Sequence, residues 1–182
     1  ELSNQTKIIS KLENIGSWDW SIFELELLCP GHSLMICANY IFKELNLFDK
    51  FKLDANKFNN FFSVIQRGYL KNPYHSALHG ADVLVNMYYF IKSDEFSNYL
   101  SDLDMITALV AAACHDYKHP GTTQNFHIET NSELALTYNG RSVLESMHCS
   151  ETIKLLLKTD YNVFSGIKKS EFRYVRETLV DM

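Results

Sequence analysis

Apolar residues recur three and four positions apart along almost the whole chain, which is the spacing of one face of an α-helix. Three prolines and seven glycines among 182 residues leave few positions that interrupt this pattern. The pattern therefore predicts an all-α fold, a compact multi-helix domain without repeats, low-complexity tracts or linkers.

Residues typical of helix caps predict where the periodic helical segments begin. Asp54 is the predicted N-cap of one helix, and Ser101 with Asp104 three residues later opens another. Pro120 and Gly121 break the chain after that second helix. The predicted helices cover residues 33–46, 54–69, 75–91, 101–116, 132–138, 142–157 and 169–182.

Charge and hydropathy exclude two classes of partner. The net charge is −5 and the basic residues are scattered, with Lys168 and Lys169 as the only doublet, so nothing attracts a nucleic acid. The longest apolar stretch, Met105 to Cys114, is about half of what a bilayer-spanning helix needs. No signal-like segment begins at Glu1, so we expect a soluble portion that makes no membrane contact.

The four cysteines are Cys29, Cys37, Cys114 and Cys149, and they form no C-x-x-C pair. Proteins of the cytosol rarely keep disulfides. We expect reduced, buried thiols and a cytoplasmic location.

Two clusters of histidine and aspartate interrupt the apolar pattern, and the first contains His75, His79 and Asp82. On a helix over 75–91, His75 and His79 are one turn apart on the same face, with Asp82 one turn further on. Imidazole nitrogen and carboxylate oxygen suit zinc and related divalent ions, and this mixture of ligands keeps a site open for water or substrate. The cluster predicts a metal site, in which Asp82 either orients a histidine or satisfies a buried polar pair.

The second cluster contains His115, Asp116 and His119. His115 and Asp116 are consecutive, so on a regular helix they would diverge by about 100°, but the backbone at a helix end can turn both toward one point. His119 either orients a water or a ligand beside the metal, or it is a helix C-terminal histidine bonded to free carbonyls.

The segments around these clusters resemble one protein family. HDYKHPGTTQNF resembles the H-D-x-x-H-x-G signature of class I 3′,5′-cyclic nucleotide phosphodiesterases, and YHSALHGADV resembles their Y-H-N-x-x-H-A-x-D segment. TNSELALTYNG, RSVLES and WDWSIFEL are similar to further family segments. The resemblance spans nearly the whole chain and implies the catalytic-domain fold of these HD-type metal phosphohydrolases.

The resemblance implies hydrolysis of cAMP, cGMP or both to the 5′-nucleotide, in cyclic nucleotide signalling. It also implies two divalent ions as cofactors, zinc with magnesium or manganese, since cations must screen the phosphate and generate hydroxide near neutral pH. His79, His115 and Asp116 would hold the metal, with Asp116 between both ions and next to the substrate. His75 would be the general acid for the O3′ leaving group, and Tyr74 would line the nucleotide pocket.

Glu145 matches the family glutamate that contacts metal-bound waters, but Ser142-x-x-Glu145 is also a capping-box pattern. Both interpretations stay open. Glu145 therefore joins His119 and Asp82 as a predicted outer residue of the site.

Several positions depart from the family pattern. Lys118 stands where an acidic residue is common, and Ser76 and Gly80 replace the usual Asn and Ala. The triplet SMH at 146–148 replaces N-H-H, which removes one histidine. None of these changes removes a residue assigned to metal binding or proton transfer.

SEFRYVRETLVDM resembles the family helix that ends in A-T-D-M, so we expect residues 1–182 to form the N-terminal portion of one catalytic domain. The other half would carry a further aspartate ligand and the residues that hold the base. We therefore expect weak or absent activity from this portion alone. The resemblance leaves open a homodimer and a membrane-associated parent protein.

Other interpretations fit parts of the pattern. A different histidine-aspartate phosphohydrolase would use the same H-D dyad and release phosphate or pyrophosphate. A non-catalytic helical module for nucleotide sensing or oligomerisation would carry the clusters as a vestigial metal site. A closed structural zinc site is disfavoured, because such sites favour cysteine and no cysteine falls within either cluster.

Overall fold

The computed structural model describes residues 3–182, which form twelve α-helices and one 3₁₀ turn and contain no β-strand. The all-α prediction is confirmed. Among these residues, no helix is both long and apolar enough to cross a membrane. The elements are α1 (Asn4–Leu12), α2 (Ile22–Leu28), α3 (Ser33–Glu44), α4 (Leu47–Lys50), α5 (Ala55–Gly68), α6 (Ala77–Lys92), α7 (Asp94–Ser97), α8 (Asp102–Cys114), α9 (Gln124–Glu129), α10 (Glu133–Thr137), α11 (Val143–Leu156), the 3₁₀ turn Thr159–Tyr161 and α12 (Lys169–Asp181).

Every helix predicted from the periodicity has an observed counterpart. The remaining helices, which the periodicity misses, are short, with α1 the longest at 9 residues. A segment of one or two turns gives too few apolar positions for a helical period to register. The helices missed in this way are α1, α2, α4, α7 and α9.

The start of α6 differs from the prediction. The helix begins after Ser76, whose backbone is extended (φ −118°, ψ 172°), so His75 lies in the preceding loop. The amide of Ser76 donates to the carbonyl of Tyr74 at 2.7 Å, a turn tighter than any helical turn. The prediction that His75 and His79 share a helix face was therefore wrong.

Helix α8 is the rigid support of the structure. Its start carries the predicted capping box, in which Ser101 and Asp104 each accept a hydrogen bond from the other's backbone amide. The residues from Ile106 to Val110 are all buried, and α6 and α12 both pack on this helix. A helix capped at its first turn and largely buried from Ile106 to its end holds the residues that follow, from His115 on, in place.

An aromatic cluster fixes α3 and α5, and α3 in turn packs on α6. The ring of Phe42 meets those of Phe58 and Phe62 edge to face, with centroids 4.9 and 5.6 Å apart. The predicted cap Asp54 accepts hydrogen bonds from the amides of Asn56 and Lys57 at the start of α5.

Candidate metal centre

The beginning of α6 and the end of α8 meet at one point. His79 lies in the first turn of α6, while His115 and Asp116 follow α8. Nε2 of His115 lies 3.1 Å from Nε2 of His79 and 3.2 Å from Oδ2 of Asp116. Nε2 of His79 lies 3.5 Å from the same Oδ2. These three side chains are called the ligand triangle below.

The ligand triangle fits a divalent ion. Nδ1 of His115 lies 2.9 Å from the carbonyl oxygen of Ala112, which can only accept, so Nδ1 carries a proton and Nε2 of the neutral ring offers a lone pair. Ligands about 2.1 Å from a tetrahedral ion stand about 3.4 Å from one another. The sides of the triangle, 3.1 to 3.5 Å, match this spacing. Three protein ligands leave a fourth position open, as in catalytic sites.

Burial and neighbouring groups set the charge of the triangle. Burial alone would raise the pKa of Asp116, but hydrogen bonds from His115 and His75 outweigh it and hold this pKa well below its usual range. Burial lowers the pKa of His79, and the adjacent His115 lowers it further. Burial also opposes protonation of His115, but its bonds to Asp116 and to the Ala112 carbonyl raise its pKa; a bound ion would displace that proton.

His75 reaches the centre from the loop before α6. Its Nδ1 lies 2.7 Å from Oδ2 of Asp116, and its ring stacks on that of His119 with centroids 3.8 Å apart and planes 9° apart. Because the carboxylate only accepts, Nδ1 carries the proton of this bond, which leaves Nε2 for another partner. The side chain is 38% exposed, so a substrate can reach it.

A second group of potential ligands shares Asp116 with the triangle. Ligand atoms of Asp116, His119 and His148 lie within 4.8 Å of one another. Nδ1 of His119 accepts a hydrogen bond from the amide of Gly121 at 3.0 Å, so its proton lies on Nε2 and the ring acts as a donor. His148 is the opposite case: its Nδ1 donates to the carbonyl of Tyr117 at 2.7 Å, and Nε2 faces Oδ1 of Asp116 at 3.7 Å.

His148 is the site residue that the sequence interpretation misses. That interpretation treats the triplet at 146–148 as the loss of a histidine, yet His148 is 4% exposed and reaches Asp116 from α11. Met147 is buried beside it. A histidine within an apolar helix was a visible signal, but its link to the site depends on how α11 packs.

Glu145 lies in the first turn of α11 and lines the cleft around the centre. The capping-box interpretation of this residue was wrong. Ser142 has a left-handed backbone (φ 39°, ψ 52°) and its side chain caps no amide. Oε1 of Gln124 instead accepts from the amide of Val143 at 2.6 Å.

Tyr74 and Asp82 lie at the margin of the centre. The ring of Tyr74 is 4.5 Å from that of His79, and Tyr74 is 65% exposed. Within residues 3–182 the side chain of Asp82 hydrogen-bonds no histidine. Its charge reaches His79 only through space, where it opposes the burial that lowers the pKa of His79.

The cleft that contains the centre has a volume of about 720 Å³, within the range of small-molecule sites. Its lining combines polar and apolar side chains. The charged and histidine side chains are those of His75, His115, Asp116, His119, Glu145 and His148, and the apolar side chains include Val83, Met87, Leu144, Leu179 and Met182.

The sequence of this chain is similar to the sequences of known proteins. Residues 74–182 match the family model described as 3′5′-cyclic nucleotide phosphodiesterase. The chain belongs to this family. The matched range begins at Tyr74 and includes His75 and the whole ligand triangle, so the resemblance found in the motifs is confirmed.

Several phosphodiesterases are similar to nearly the whole chain. The dual specificity calcium/calmodulin-dependent 3′,5′-cyclic nucleotide phosphodiesterase 1 of Drosophila melanogaster is 35% identical over 96% of the chain and 21% of its own length. The 3′,5′-cyclic-AMP phosphodiesterase 4 of Dictyostelium discoideum is 34% identical over 93% of the chain and 16% of its own length. The chain thus spans about a fifth of the length of these relatives.

A solved structure matches the fold. The phosphodiesterase domain of Salpingoeca rosetta rhodopsin phosphodiesterase superposes with a TM-score of 0.84 and 28% sequence identity. The match covers 99% of this chain and 52% of that one.

Two departures from the phosphodiesterase pattern, Lys118 and Gly80, are accommodated by contacts with residues outside the ligand triangle. Lys118 has a left-handed backbone (φ 65°), and its Nζ lies 2.5 Å from Oε2 of Glu151 on α11. Gly80 packs against Tyr69: a Cβ at Gly80 would lie 2.8 Å from the ring. The Tyr69 hydroxyl donates to the carbonyl of Ala113 at 3.0 Å, just before the end of α8.

Proposed function

We propose that the protein that carries this chain hydrolyses 3′,5′-cyclic nucleotides, cAMP, cGMP or both, to 5′-nucleotides. The observation that carries the proposal is the ligand triangle, with His75 bonded to its carboxylate at 2.7 Å. Membership of the family, and relatives named for this class of substrate, support it.

In this proposal His79, His115 and Asp116 would hold one divalent ion, zinc, and Asp116 would also help to hold a second, magnesium or manganese. Two nitrogens and one carboxylate oxygen suit zinc, whereas a single carboxylate with waters suits magnesium. When bound, the ions supply positive charge that screens the phosphate and lowers the pKa of water. Around Asp116, the buried His119 and His148 would hold metal-bound waters, His119 as a donor and His148 as an acceptor.

His75 is the proposed proton donor. A water oxygen adds to phosphorus, the P–O3′ bond breaks, and O3′ takes the proton from Nε2 of His75. The water gives one proton to the solvent, from which His75 is protonated again. The bond from Nδ1 to Asp116 keeps the ring in one orientation during this transfer.

The cleft supplies the proposed binding surface. Tyr74, exposed beside His79, would contact the nucleotide, and Glu145, which lines the cleft, would hold a water. We further propose that residues 1–182 are the N-terminal portion of one catalytic domain, because the chain covers only 52% of the solved phosphodiesterase domain. The free thiols of all four cysteines support a cytoplasmic location.

The test uses the longest natural chain that contains residues 1–182, loaded with zinc and magnesium. We expect chromatography to show 5′-AMP from cAMP, 5′-GMP from cGMP, or both. Release of phosphate or pyrophosphate from nucleotides, without cleavage of cyclic nucleotides, would instead identify a different histidine-aspartate phosphohydrolase. A folded, metal-loaded protein that binds cyclic nucleotide without turnover would be a sensing module with a vestigial centre.

A further inference from the structure

The proposed proton donor stands on a loop, not on a helix. His75 precedes α6, and the residues from 70 to 76 belong to no helix. Proton transfer needs the donor to be held within hydrogen-bond reach of the leaving oxygen. A side chain outside regular structure therefore needs a dedicated support.

The side chain of Asn72 provides this support. Its Nδ2 donates to the carbonyl oxygen of His119 at 2.8 Å and lies 3.3 Å from the carbonyl oxygen of His75. Both partners are carbonyls, which only accept, so the amide orientation is fixed by chemistry. The two residues whose carbonyls it joins are those whose rings stack at 3.8 Å.

Gly121 closes the arrangement from the other side. A Cβ at Gly121 would lie 2.7 Å from Oδ1 of Asn72, so only glycine allows this approach. Gly121 also has φ +81°, which glycine adopts without strain, and its amide donates to Nδ1 of His119. The side chain of Asn72 thus links the loop that contains His75 to the turn after α8.

We propose that Asn72 is a positioning residue, which holds His75 against Asp116 and aligns it for protonation of O3′. This inference rests on the proposed function of His75. Asn72 is neither a member of the ligand triangle nor one of the residues that line the cleft. It bonds the cleft-lining residues His75 and His119 through their backbone carbonyls, so its effect on the reaction passes through the orientation of His75.

The test compares Asn72→Ala with Asn98→Ala in the longest natural chain that contains residues 1–182. Asn98 is a matched control, because its Nδ2 also donates to a backbone carbonyl, that of Asp94 at 2.8 Å, far along the sequence from the centre. We expect Asn72→Ala to lower kcat for cyclic nucleotides by about tenfold or more and to change KM by less than about twofold, since general acid catalysis contributes roughly 10²–10⁴-fold. Asn98→Ala should keep both constants, and zinc content should be equal in all three proteins.

A second substrate separates positioning from a merely structural role. In a cyclic nucleotide with sulfur in place of O3′, the leaving thiolate needs no proton. On this substrate Asn72→Ala should approach the wild-type rate. An equal loss on both substrates, a loss of zinc, or an unchanged kcat would overturn the proposal.

Gly121→Ala provides an independent variant, because its methyl group would displace the Asn72 amide from the other side. We expect this variant, like Asn72→Ala, to lose rate on the natural cyclic nucleotides and to approach the wild-type rate on the substrate with sulfur in place of O3′. A crystal structure of Asn72→Ala separates failure of this inference from failure of the proposed function. If the wild-type protein has no turnover, the function fails. The positioning claim is still refuted if His75 keeps its 2.7 Å bond to Asp116 without Asn72, and it is supported if that bond is lost.

Discussion

The Nε2 atoms of His79 and His115 lie 3.1 Å apart, and the proton of neutral His115 is held on its other nitrogen by Ala112. Together with Oδ2 of Asp116 they form one face of a tetrahedron of acceptor atoms. Such a cluster of lone pairs is stabilised by a cation at its centre. We therefore expect a bound divalent cation to stabilise the fold at this point.

We expect zinc to raise the midpoint of thermal unfolding, because an ion that binds only the folded state stabilises it by about 2.7 kcal/mol at a hundredfold excess over its Kd. A chelator should reverse the shift. His115→Ala should abolish it, whereas variant His32→Ala, at an exposed histidine outside the centre, should keep it. A full zinc-dependent shift in His115→Ala would contradict the ligand assignment.

Substitutions of His75 and of His79 should distinguish a loss of proton transfer from a loss of metal binding. We expect His75→Gln to lower kcat by roughly 10²–10⁴-fold while the zinc content stays at the wild-type level. His79→Gln should lose zinc and activity together. Zinc content and steady-state kinetics are measured for both variants. Loss of zinc in His75→Gln would contradict the role of His75 as proton donor.

Gly80→Ala should destabilise the protein, although the same change within an open helix stabilises by roughly 0.5–1 kcal/mol. The added Cβ would lie 2.8 Å from the ring of Tyr69, and overpacking of this kind costs about 1–3 kcal/mol. Tyr69→Phe should cost about 1 kcal/mol through the lost bond to the Ala113 carbonyl. Urea unfolding measures both, and a more stable Gly80→Ala protein would refute the packing argument.

Part of the fold and of the candidate site could be predicted from the sequence. Local signals were sufficient for α5 and α8, because Asp54 and the Ser101–Asp104 box act on amides two or three residues away. His79 and Asp116 were predicted as metal ligands from motif and position, and the structure brings their side chains within 3.5 Å of each other.

Other features depend on packing that a sequence pattern does not contain. His75 was placed on α6 because the spacing of His75 and His79 fits one helix face, whereas Ser76 between them is the N-cap, with the extended backbone of that position. His148 and Asn72 were missed because each acts on a segment distant in sequence: His148 faces Asp116, and Asn72 bonds the carbonyl of His119.

The contact between α8 and α12 should depend on pH through Asp104. Hydrogen bonds from the hydroxyl groups of Tyr174 and then Ser101 hold the pKa of Asp104 below its usual value. A carboxyl whose folded-state pKa is lowered stabilises the fold above its unfolded pKa, and this stabilisation is lost as pH falls toward the folded pKa. We expect Tyr174→Phe to lower the free energy of unfolding at pH 7 and to have a smaller effect at pH 3, measured by urea unfolding. An effect that grows on acidification would contradict this.

Residues 1–182 on their own should hydrolyse cyclic nucleotides weakly or not at all. In the proposed function the ligand triangle would supply three ligands to one ion, while a second ion would have only Asp116 from this chain. The chain also covers only 52% of the solved phosphodiesterase domain. The test measures kcat/KM of residues 1–182 and compares it with kcat/KM of the longest natural chain that contains them. Equal values would show that the remaining half is dispensable.

The most direct test of hydrolysis at this centre is ³¹P NMR of cAMP and cGMP incubated in ¹⁸O-enriched water with the metal-loaded protein in its longest natural form. We expect a 5′-nucleotide with one ¹⁸O on phosphorus, which shows that water attacks phosphorus and that the P–O3′ bond breaks. Unchanged cyclic nucleotide in the presence of folded, zinc-containing protein would contradict the account.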